Sequence, residues 1–265
     1  MQQILSYKSS QIVYYTYGSG DEIVFCFHGY GLDGSSFGFL EDAIGKSHTL
    51  VCIDMPFHGQ TKWNENLVFT HFDLSNIIHL LNPFPNNKFT ILGYSMGGRI
   101  VLSWLQINAD KVNKVILIAP DGLKFHFWQY LSTQTVWGNK LFRLTMQYPQ
   151  WLFALVKIGV ALHLFNRSIS KFVHHHIDSK LERDLLYYRW TSMRQFTTNL
   201  TLLTKLITQH RIPINIMTGK FDRVITTNQA ERFKEGNNLI TLTELQSGHH
   251  LLKDHWIKDI VQLIS

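Results

Sequence analysis

Short apolar runs alternate with segments of helical periodicity along most of the chain, and this alternation constrains the fold more than any other feature. The runs are almost continuously apolar, which is typical of strands buried on both faces of a sheet. They cover residues 23–27, 49–54, 88–92, 114–119, 213–218 and 239–244. The intervals predict helices over residues 35–44, 70–81, 97–108, 227–235 and 251–264. Because such strands need crossover connections, the pattern predicts an α/β fold with a mostly parallel sheet and helices on both faces.

Two further strands and one long interruption complete the predicted architecture. Residues 4–7 and 11–17 are predicted to form an antiparallel pair that joins the sheet, which gives eight strands. After residue 119 the alternation stops, and residues 122–208 contain helical patterns rich in Trp, Phe, Tyr and Leu but no clear strand. We therefore predict a core domain formed by residues 1–120 and 209–265, with an all-helical insertion at residues 121–208.

The positive charge of the chain is concentrated in this insertion. Residues 121–210 contain 11 Lys or Arg and 4 Asp or Glu, a net charge of +7. The rest of the chain contains 14 Lys or Arg and 15 Asp or Glu, a net charge of −1. Such an excess suits an anionic substrate or an anionic lipid surface, but a solvated helical face is the preferred interpretation. The basic residues are scattered and no nucleic-acid-binding motif is present, so we do not predict a nucleic-acid partner.

Cysteine placement and hydropathy predict a soluble cytoplasmic protein. Cys26 and Cys52 lie within apolar runs, where thiols behave as buried hydrophobes, and the N-terminus has no signal-peptide pattern. The longest apolar stretch, residues 151–165, contains a lysine and a histidine and is shorter than the roughly 18 residues of a membrane span. Contact of this stretch with a membrane surface is a less favoured alternative. Length and composition leave monomer and homodimer open.

The strongest chemical signal is residues 93–98, Gly-Tyr-Ser-Met-Gly-Gly, which follow a predicted strand and precede a predicted helix. This is the G-x-S-x-G pattern in a strand–turn–helix context. So tight a turn strains the backbone of Ser95 and requires glycine nearby, and it holds the hydroxyl clear of the backbone at the positive end of a helix. We therefore predict Ser95 as a nucleophile.

A serine nucleophile needs a base whose pKa lies near neutrality, which points to histidine. His249 and His250 follow the last predicted strand. We favour His249 because it directly follows a glycine, and expect His250 to be a surface or helix-start residue. No metal site is predicted from the run at residues 174–176, since consecutive histidines on a helix diverge.

The base in turn needs a carboxylate that holds its tautomer. Asp222 follows the predicted strand at residues 213–218 and lies 27 residues before His249, in the Ser, Asp, His order that accompanies the G-x-S-x-G pattern. The rival is Asp121, which follows the strand at residues 114–119 and is otherwise interpreted as a cap of the first inserted helix.

The oxyanion of an acyl-transfer intermediate needs two hydrogen-bond donors. The backbone N–H of Met96, directly after the nucleophile, is the first prediction. The second is the backbone N–H of Tyr30, in the glycine-containing loop after the strand at residues 23–27. His28 in that loop is interpreted as a buried structural histidine. Gly29 and Tyr94, which adjoin these donors, are predicted to contact the substrate.

Together these segments resemble the α/β-hydrolase superfamily, and the resemblance covers nearly the whole chain. It rests on HGYG at 28–31, DMPFHGQT at 54–61, GYSMGG at 93–98, GKFDRV at 219–224 and SGHH at 247–250. It implies a serine hydrolase with no cofactor and no metal, and identifies the insertion as a lid after the sixth strand. Serine at position 95 argues against the dehalogenase and epoxide-hydrolase branches. His250 stands where carbon–carbon bond hydrolases often have Trp, which argues against that subgroup.

The aromatic content of the lid predicts a hydrophobic pocket, with Trp128 and Trp151 as substrate contacts. The predicted activity is cleavage of a carboxylic ester or related acyl bond of a small to medium hydrophobic substrate. Three alternatives stay open: an acyltransferase, a non-catalytic ligand-binding protein, and a carbon–carbon bond hydrolase. For the last, a substrate carboxylate could bind a lid arginine among Arg143, Arg167, Arg189 and Arg194.

Overall fold

The computed structural model describes residues 1–161, 177 and 179–264. The strands are β1 (Gln2–Tyr7), β2 (Ser10–Tyr17), β3 (Glu22–Phe27), β4 (His48–Ile53), β5 (Phe89–Tyr94), β6 (Val112–Ile118), β7 (Ile214–Gly219) and β8 (Ile240–Leu245). Within the described residues they form one eight-stranded sheet in the order β1-β2-β4-β3-β5-β6-β7-β8. Strand β2 is antiparallel to both of its neighbours, and all other pairs are parallel. The predicted α/β class and mostly parallel eight-stranded sheet are confirmed.

The helices fall into the intervals between strands and into the segment after β6. In chain order they are α1 (Glu41–Ile44), α2 (His71–Leu81), α3 (Met96–Asn108), α4 (Phe127–Gln134), α5 (Val136–Gln147), α6 (Gln150–Ala161), α7 (Lys180–Ser192), α8 (Leu200–His210), α9 (Thr227–Lys234) and α10 (Ile257–Ile264). The described part of the chain contains no helix that is long and apolar enough to cross a membrane. His174, His175, His176, Arg167 and the end of the apolar stretch at residues 151–165 lie outside the described residues.

The chain forms two compact units, which we call the core unit and the helical unit. The core unit comprises Met1–Glu65, Thr70–Phe125 and Phe196–Ser265, and it contains the whole sheet. The helical unit comprises Asn66–Phe69 and His126–Gln195, with α4 to α7. Its own small interior is built on Met146, Ile177 and Tyr187.

The central strands position the site because they are buried along almost their whole length. Every residue of β5 is buried, as are the last four residues of β6. Parallel strands bring their carboxyl ends to one edge of a sheet, which is where ligands bind in open α/β folds. The loops that follow β3, β5, β7 and β8 therefore start close to one another.

Two predicted helices differ from the structure. Instead of a helix at residues 35–44, a 3₁₀ helix at Gly34–Leu40 precedes the single turn of α1. The carboxylate of Asp33 accepts the Ser35 N–H at 2.9 Å and starts this tighter winding. The last helix begins at Ile257 rather than at residue 251, because the fully buried Leu251 is held in a tight turn by its N–H bond to the His249 carbonyl at 2.9 Å.

Candidate active site

Ser95 is the single residue between the end of β5 and the start of α3, and its backbone is strained, with a positive φ of 50° and ψ of −114°. Three backbone hydrogen bonds hold it there. Its N–H donates to the Ile118 carbonyl at 3.0 Å, and its carbonyl accepts the N–H groups of Gly98 and Asp121, each at 2.9 Å. Strain of this kind persists only where surrounding contacts fix it. The result is a serine that projects from the turn instead of following strand or helix.

Glycine is required beside this turn because the backbone of α3 packs directly on neighbouring backbone. A Cβ on Gly97 would lie 1.9 Å from the carbonyl oxygen of Phe27, at the end of β3. A Cβ on Gly93 would lie 2.6 Å from the carbonyl oxygen of Gly97. The two glycines of the motif thus allow the N-terminus of α3, with its partial positive charge, to begin at the sheet edge beside Ser95.

Three predicted residues form one continuous hydrogen-bonded chain. Ser95 Oγ lies 2.9 Å from His249 Nε2, and His249 Nδ1 lies 2.7 Å from Asp222 Oδ2. A carboxylate only accepts hydrogen bonds, so we assign the imidazole proton to Nδ1. Nε2 is then left to accept the proton of the serine hydroxyl.

The carboxylate of Asp222 is fixed at both oxygens. Its side chain is fully buried in the loop after β7, and Oδ1 accepts the backbone N–H groups of Val224 and Ile225 at 2.8 and 2.9 Å. These bonds leave Oδ2 directed at His249. Sequence reasoning missed these two donors, although an aspartate that binds N–H groups two and three residues later is a recognisable turn pattern.

Tyr94 contacts His249 through both its hydroxyl and its ring. Its hydroxyl donates to the backbone carbonyl of His249 at 3.2 Å, and the two rings stack with centroids 5.9 Å apart. Burial chiefly, and then the charge of Asp222, raise the pKa of Tyr94 to about 12, so the hydroxyl stays protonated. Tyr94 is only 4% exposed, and its contact with the substrate stays a prediction.

The loop after β3 runs beside the nucleophile. A Cβ on Gly29 would lie 3.4 Å from the Cβ of Ser95 and 3.1 Å from the Tyr94 ring. Tyr30, the residue predicted to supply one oxyanion donor, follows directly. The other predicted donor, Met96, is the first residue of α3, and the N–H groups of a first helical turn have no acceptor within the helix.

His28 holds this loop in place, as predicted for a structural histidine. It is fully buried, and its Nε2 accepts the Met55 N–H at 3.1 Å while Nδ1 lies 2.8 Å from the Gly29 carbonyl. The carbonyl can only accept, so the ring carries its proton on Nδ1. His28 thereby joins the loop after β3 to the loop after β4.

Asp54 makes a second connection between these loops. Its carboxylate oxygens accept the N–H groups of Gly34 at 2.7 Å and Gln60 at 3.1 Å. Burial raises the pKa of Asp54 to about 6, because it outweighs the opposing effect of these two donors. We infer that Asp54, within the DMPFHGQT segment, has a structural role beside the site.

The competing residues have other partners. Asp121 forms an ion pair with Arg99 at 3.5 Å, and its Oδ1 accepts the Gly122 N–H at 2.7 Å. Its interpretation as a helix cap is wrong, since α4 begins at Phe127 with His126 as its N-cap residue. His250 is exposed, with its ring centroid 6.1 Å from that of His249.

The remaining predictions concern two tryptophans of the helical unit and the absence of a metal site. Trp128 and Trp151 belong to α4 and α6, and their substrate contacts stay predictions. Among the residues that the structure describes, no three His, Cys, Asp or Glu side chains are grouped to hold a metal ion. That the protein needs no metal or cofactor also stays a prediction.

The eight-stranded sheet and its strand order are those of the α/β-hydrolase fold. The model of the alpha/beta hydrolase fold family matches residues 22–255. The chain therefore belongs to the α/β-hydrolase fold family.

Its relatives include hydrolases and esterases. The chain is 24% identical over 157 residues to the uncharacterized hydrolase YugF of Bacillus subtilis (strain 168), covering 58% of this chain and 55% of that protein. It is 28% identical over 121 residues to the pimeloyl-[acyl-carrier protein] methyl ester esterase of Chromobacterium violaceum, covering 45% of each. The matches thus span about half the length of these curated relatives. A solved thermophilic esterase from Thermogutta terrifontis shares the fold over 100% of this chain and 98% of its own, with a TM-score of 0.70 and 14% identity.

Proposed function

We propose that this protein is a serine hydrolase that cleaves a carboxylic ester or related acyl bond of a small to medium hydrophobic substrate. The observation that carries the proposal is the chain of hydrogen bonds from Ser95 through His249 to Asp222, at 2.9 and 2.7 Å. The similarity to proteins named as esterases supports the class of bond.

In the first half-reaction the Ser95 hydroxyl attacks the substrate carbonyl carbon while His249 Nε2 takes the hydroxyl proton. A tetrahedral intermediate forms, and its negative oxygen is stabilised by the backbone N–H groups of Met96 and Tyr30. The bond from the carbonyl carbon to the leaving oxygen then breaks as His249 gives its proton to that oxygen. An alcohol departs, and an ester of Ser95 remains.

In the second half-reaction water attacks this acyl-enzyme. His249 takes a proton from the water, the same two N–H groups stabilise the second oxyanion, and His249 returns the proton to Ser95 Oγ as the acid leaves. The histidine is cationic in both transition states. Asp222 stabilises that cation and holds the ring in place, and it keeps its own orientation through two backbone donors.

Turnover of a series of nitrophenyl esters of increasing acyl length, by the wild type and by Ser95→Ala, tests the proposal. We expect hydrolysis of medium acyl chains by the wild type and a loss of about 10⁶-fold in kcat for the variant. Equal turnover by both proteins would overturn the role of Ser95. A preference for acetate over every longer chain would overturn the proposed substrate size, and a parallel thioester series decides between the two acyl bonds.

A further inference from the structure

The helical unit exposes apolar side chains in a regular pattern on α5. Trp137 is 82% exposed, Leu141 and Leu144 are also exposed, and so is Tyr148 directly after the helix. Leu141 and Leu144 follow Trp137 by four and seven residues, so the three share one side of the helix. Met146 on the other side is buried in the interior of the unit. The helix is therefore apolar on both its inner side and its outer side.

Helix α6 repeats this arrangement. Trp151, Leu155 and Ile158 are spaced by four and three residues and are exposed, whereas Leu152 and Phe153 pack against the interior of the unit. An apolar inner side is explained by packing within the unit. The outer stripe is left in contact with solvent, at a cost of about 25 cal/mol for each Å² of apolar surface.

Helix α4 adds a third stripe. Phe127, Trp128 and Leu131 are exposed, Trp128 by 76%, while Thr133 is buried. Three helices of one unit thus each present an outer apolar stripe, and each stripe contains a tryptophan. Tryptophan is enriched where proteins meet the headgroup region of a bilayer, because its ring is apolar and its N–H is polar.

The three helices that carry these stripes contain only basic charges. Across α4, α5 and α6 there are three Lys or Arg and no Asp or Glu. Lys140 and Arg143 on α5 and Lys157 on α6 are exposed. Lys140 Nζ lies 5.4 Å from the centre of the Trp137 ring, so a cation and an exposed aromatic ring stand side by side. A surface of this composition attracts anions and repels a second copy of itself.

From these observations we propose that the outer sides of α4, α5 and α6 bind the surface of an anionic lipid bilayer. The stripes enter the boundary between headgroups and acyl chains, and the lysines and arginine contact lipid phosphates. The helices lie on the bilayer rather than cross it, in keeping with their length and apolar content. This proposal goes beyond the hydrolase activity and does not depend on it.

Flotation of the full chain with lipid vesicles tests the proposal directly. We expect the protein to float with phosphatidylcholine vesicles that contain phosphatidylglycerol, and to stay in the soluble fraction with phosphatidylcholine alone. Raising the salt concentration should weaken the binding because exposed charges are screened. Absence of binding to the anionic vesicles would overturn the proposal, as would equal binding to both vesicle types.

Two surface variants separate the apolar and the charged contributions. Trp137→Ser should lower the partition coefficient about tenfold, since it removes the most exposed aromatic ring among the described residues. Lys140→Gln/Arg143→Gln should lower it about 25-fold, since each basic residue near an anionic bilayer contributes about fivefold.

Matched controls come from the core unit. Phe72→Ser removes an exposed ring from α2, and Lys205→Gln/Lys258→Gln removes two exposed charges. Both should bind within about twofold of the wild type. Circular dichroism and thermal unfolding verify that every variant is folded. If folded variants of α5 bind as well as the wild type, the proposal is wrong. A second copy of the chain is the alternative occupant of the stripes. The proposal is therefore also wrong if the wild type binds no vesicles but self-associates in sedimentation experiments, and Trp137→Ser abolishes that self-association.

Discussion

The hydroxyl of Tyr94 is hydrogen-bonded to the backbone carbonyl of His249, 155 residues further along the chain. Tyr94 immediately precedes the nucleophile, so one residue connects the turn that carries Ser95 to the loop that carries the base. The same ring lies under Gly29, on the predicted oxyanion side. Tyr94 is therefore well placed to set the distance between Ser95 Oγ and His249 Nε2.

Removal of this hydroxyl tests that positioning role. Tyr94→Phe keeps the ring but loses one hydrogen bond of about 1 kcal/mol, so we expect kcat to fall about fivefold with KM unchanged. Steady-state kinetics on a nitrophenyl ester measure the effect. Tyr14→Phe is the control, because the Tyr14 hydroxyl donates to Gln3 in the β1–β2 hairpin at 2.7 Å. If both variants keep wild-type kcat, Tyr94 has no positioning role.

Loss of the charge on Asp222 should nearly abolish turnover. Asp222→Asn keeps the shape of the side chain but favours the wrong imidazole tautomer, and we expect kcat to fall about 10⁴-fold. Asp121→Asn alters the rival carboxylate, which pairs with Arg99, and should cost less than about tenfold. A larger loss from Asp121→Asn than from Asp222→Asn would transfer the orienting role to Asp121.

An added methyl group should lower activity at Gly29, which lies beside the nucleophile, but not at Gly248. A methyl group on Gly29 would press on the buried Tyr94 ring at 3.1 Å, whereas one on Gly248 meets nothing within 4 Å. We expect Gly29→Ala to lower kcat about 100-fold through displacement of the oxyanion loop, and Gly248→Ala to retain activity. Kinetics of the two variants, with thermal unfolding as a folding check, compare them directly. The reverse order of activities would contradict the close contact at Gly29.

Stability should depend on pH through a histidine outside the site. His71 lies on α2, with Nε2 2.8 Å from Ser103 Oγ, whose hydroxyl donates to the Thr197 carbonyl at 2.9 Å. Burial lowers the pKa of His71 below its ordinary value of 6.5. The unfolded chain then binds more protons than the folded chain in this range. The stabilisation that neutral His71 contributes is complete above the pKa of this histidine in the unfolded chain. It is lost as the pH falls through the pKa of His71 in the folded protein.

Urea unfolding at about pH 8 and about pH 5 measures this effect. His71→Gln cannot titrate, so we expect a smaller loss of unfolding free energy on acidification than in the wild type. The difference between the two proteins isolates His71 from other titrating groups. His79→Gln on the exposed end of the same helix should behave like the wild type. An unchanged pH dependence in His71→Gln would contradict the assignment.

The sequence predicted the strands and the order of site residues because both depend on local patterns. Buried parallel strands give continuous apolar runs, and all eight predicted strands lie within two residues of the observed bounds. Ser95, Asp222 and His249 follow three of these strands. Since parallel strands end at one edge, their proximity follows from topology.

Features that depend on distant contacts could not be predicted from local patterns. The apolar residues after His249 predicted a helix from residue 251. Leu251 instead packs in the core, and α10 begins only at Ile257. The role of Tyr94 depends on a partner in another loop, so neither its burial nor its hydrogen bond is visible in the G-x-S-x-G motif. The outer stripes of α4 to α6 have the same spacing as buried stripes, and only their exposure distinguishes them.

The central claim is that His249 activates Ser95, and reaction with a fluorophosphonate, measured by intact mass, tests it most directly. We expect the folded wild-type protein to gain one adduct per chain, and Ser95→Ala to gain none under the same conditions. Absence of an adduct on the wild type, or an equal adduct on the variant, would contradict an activated Ser95.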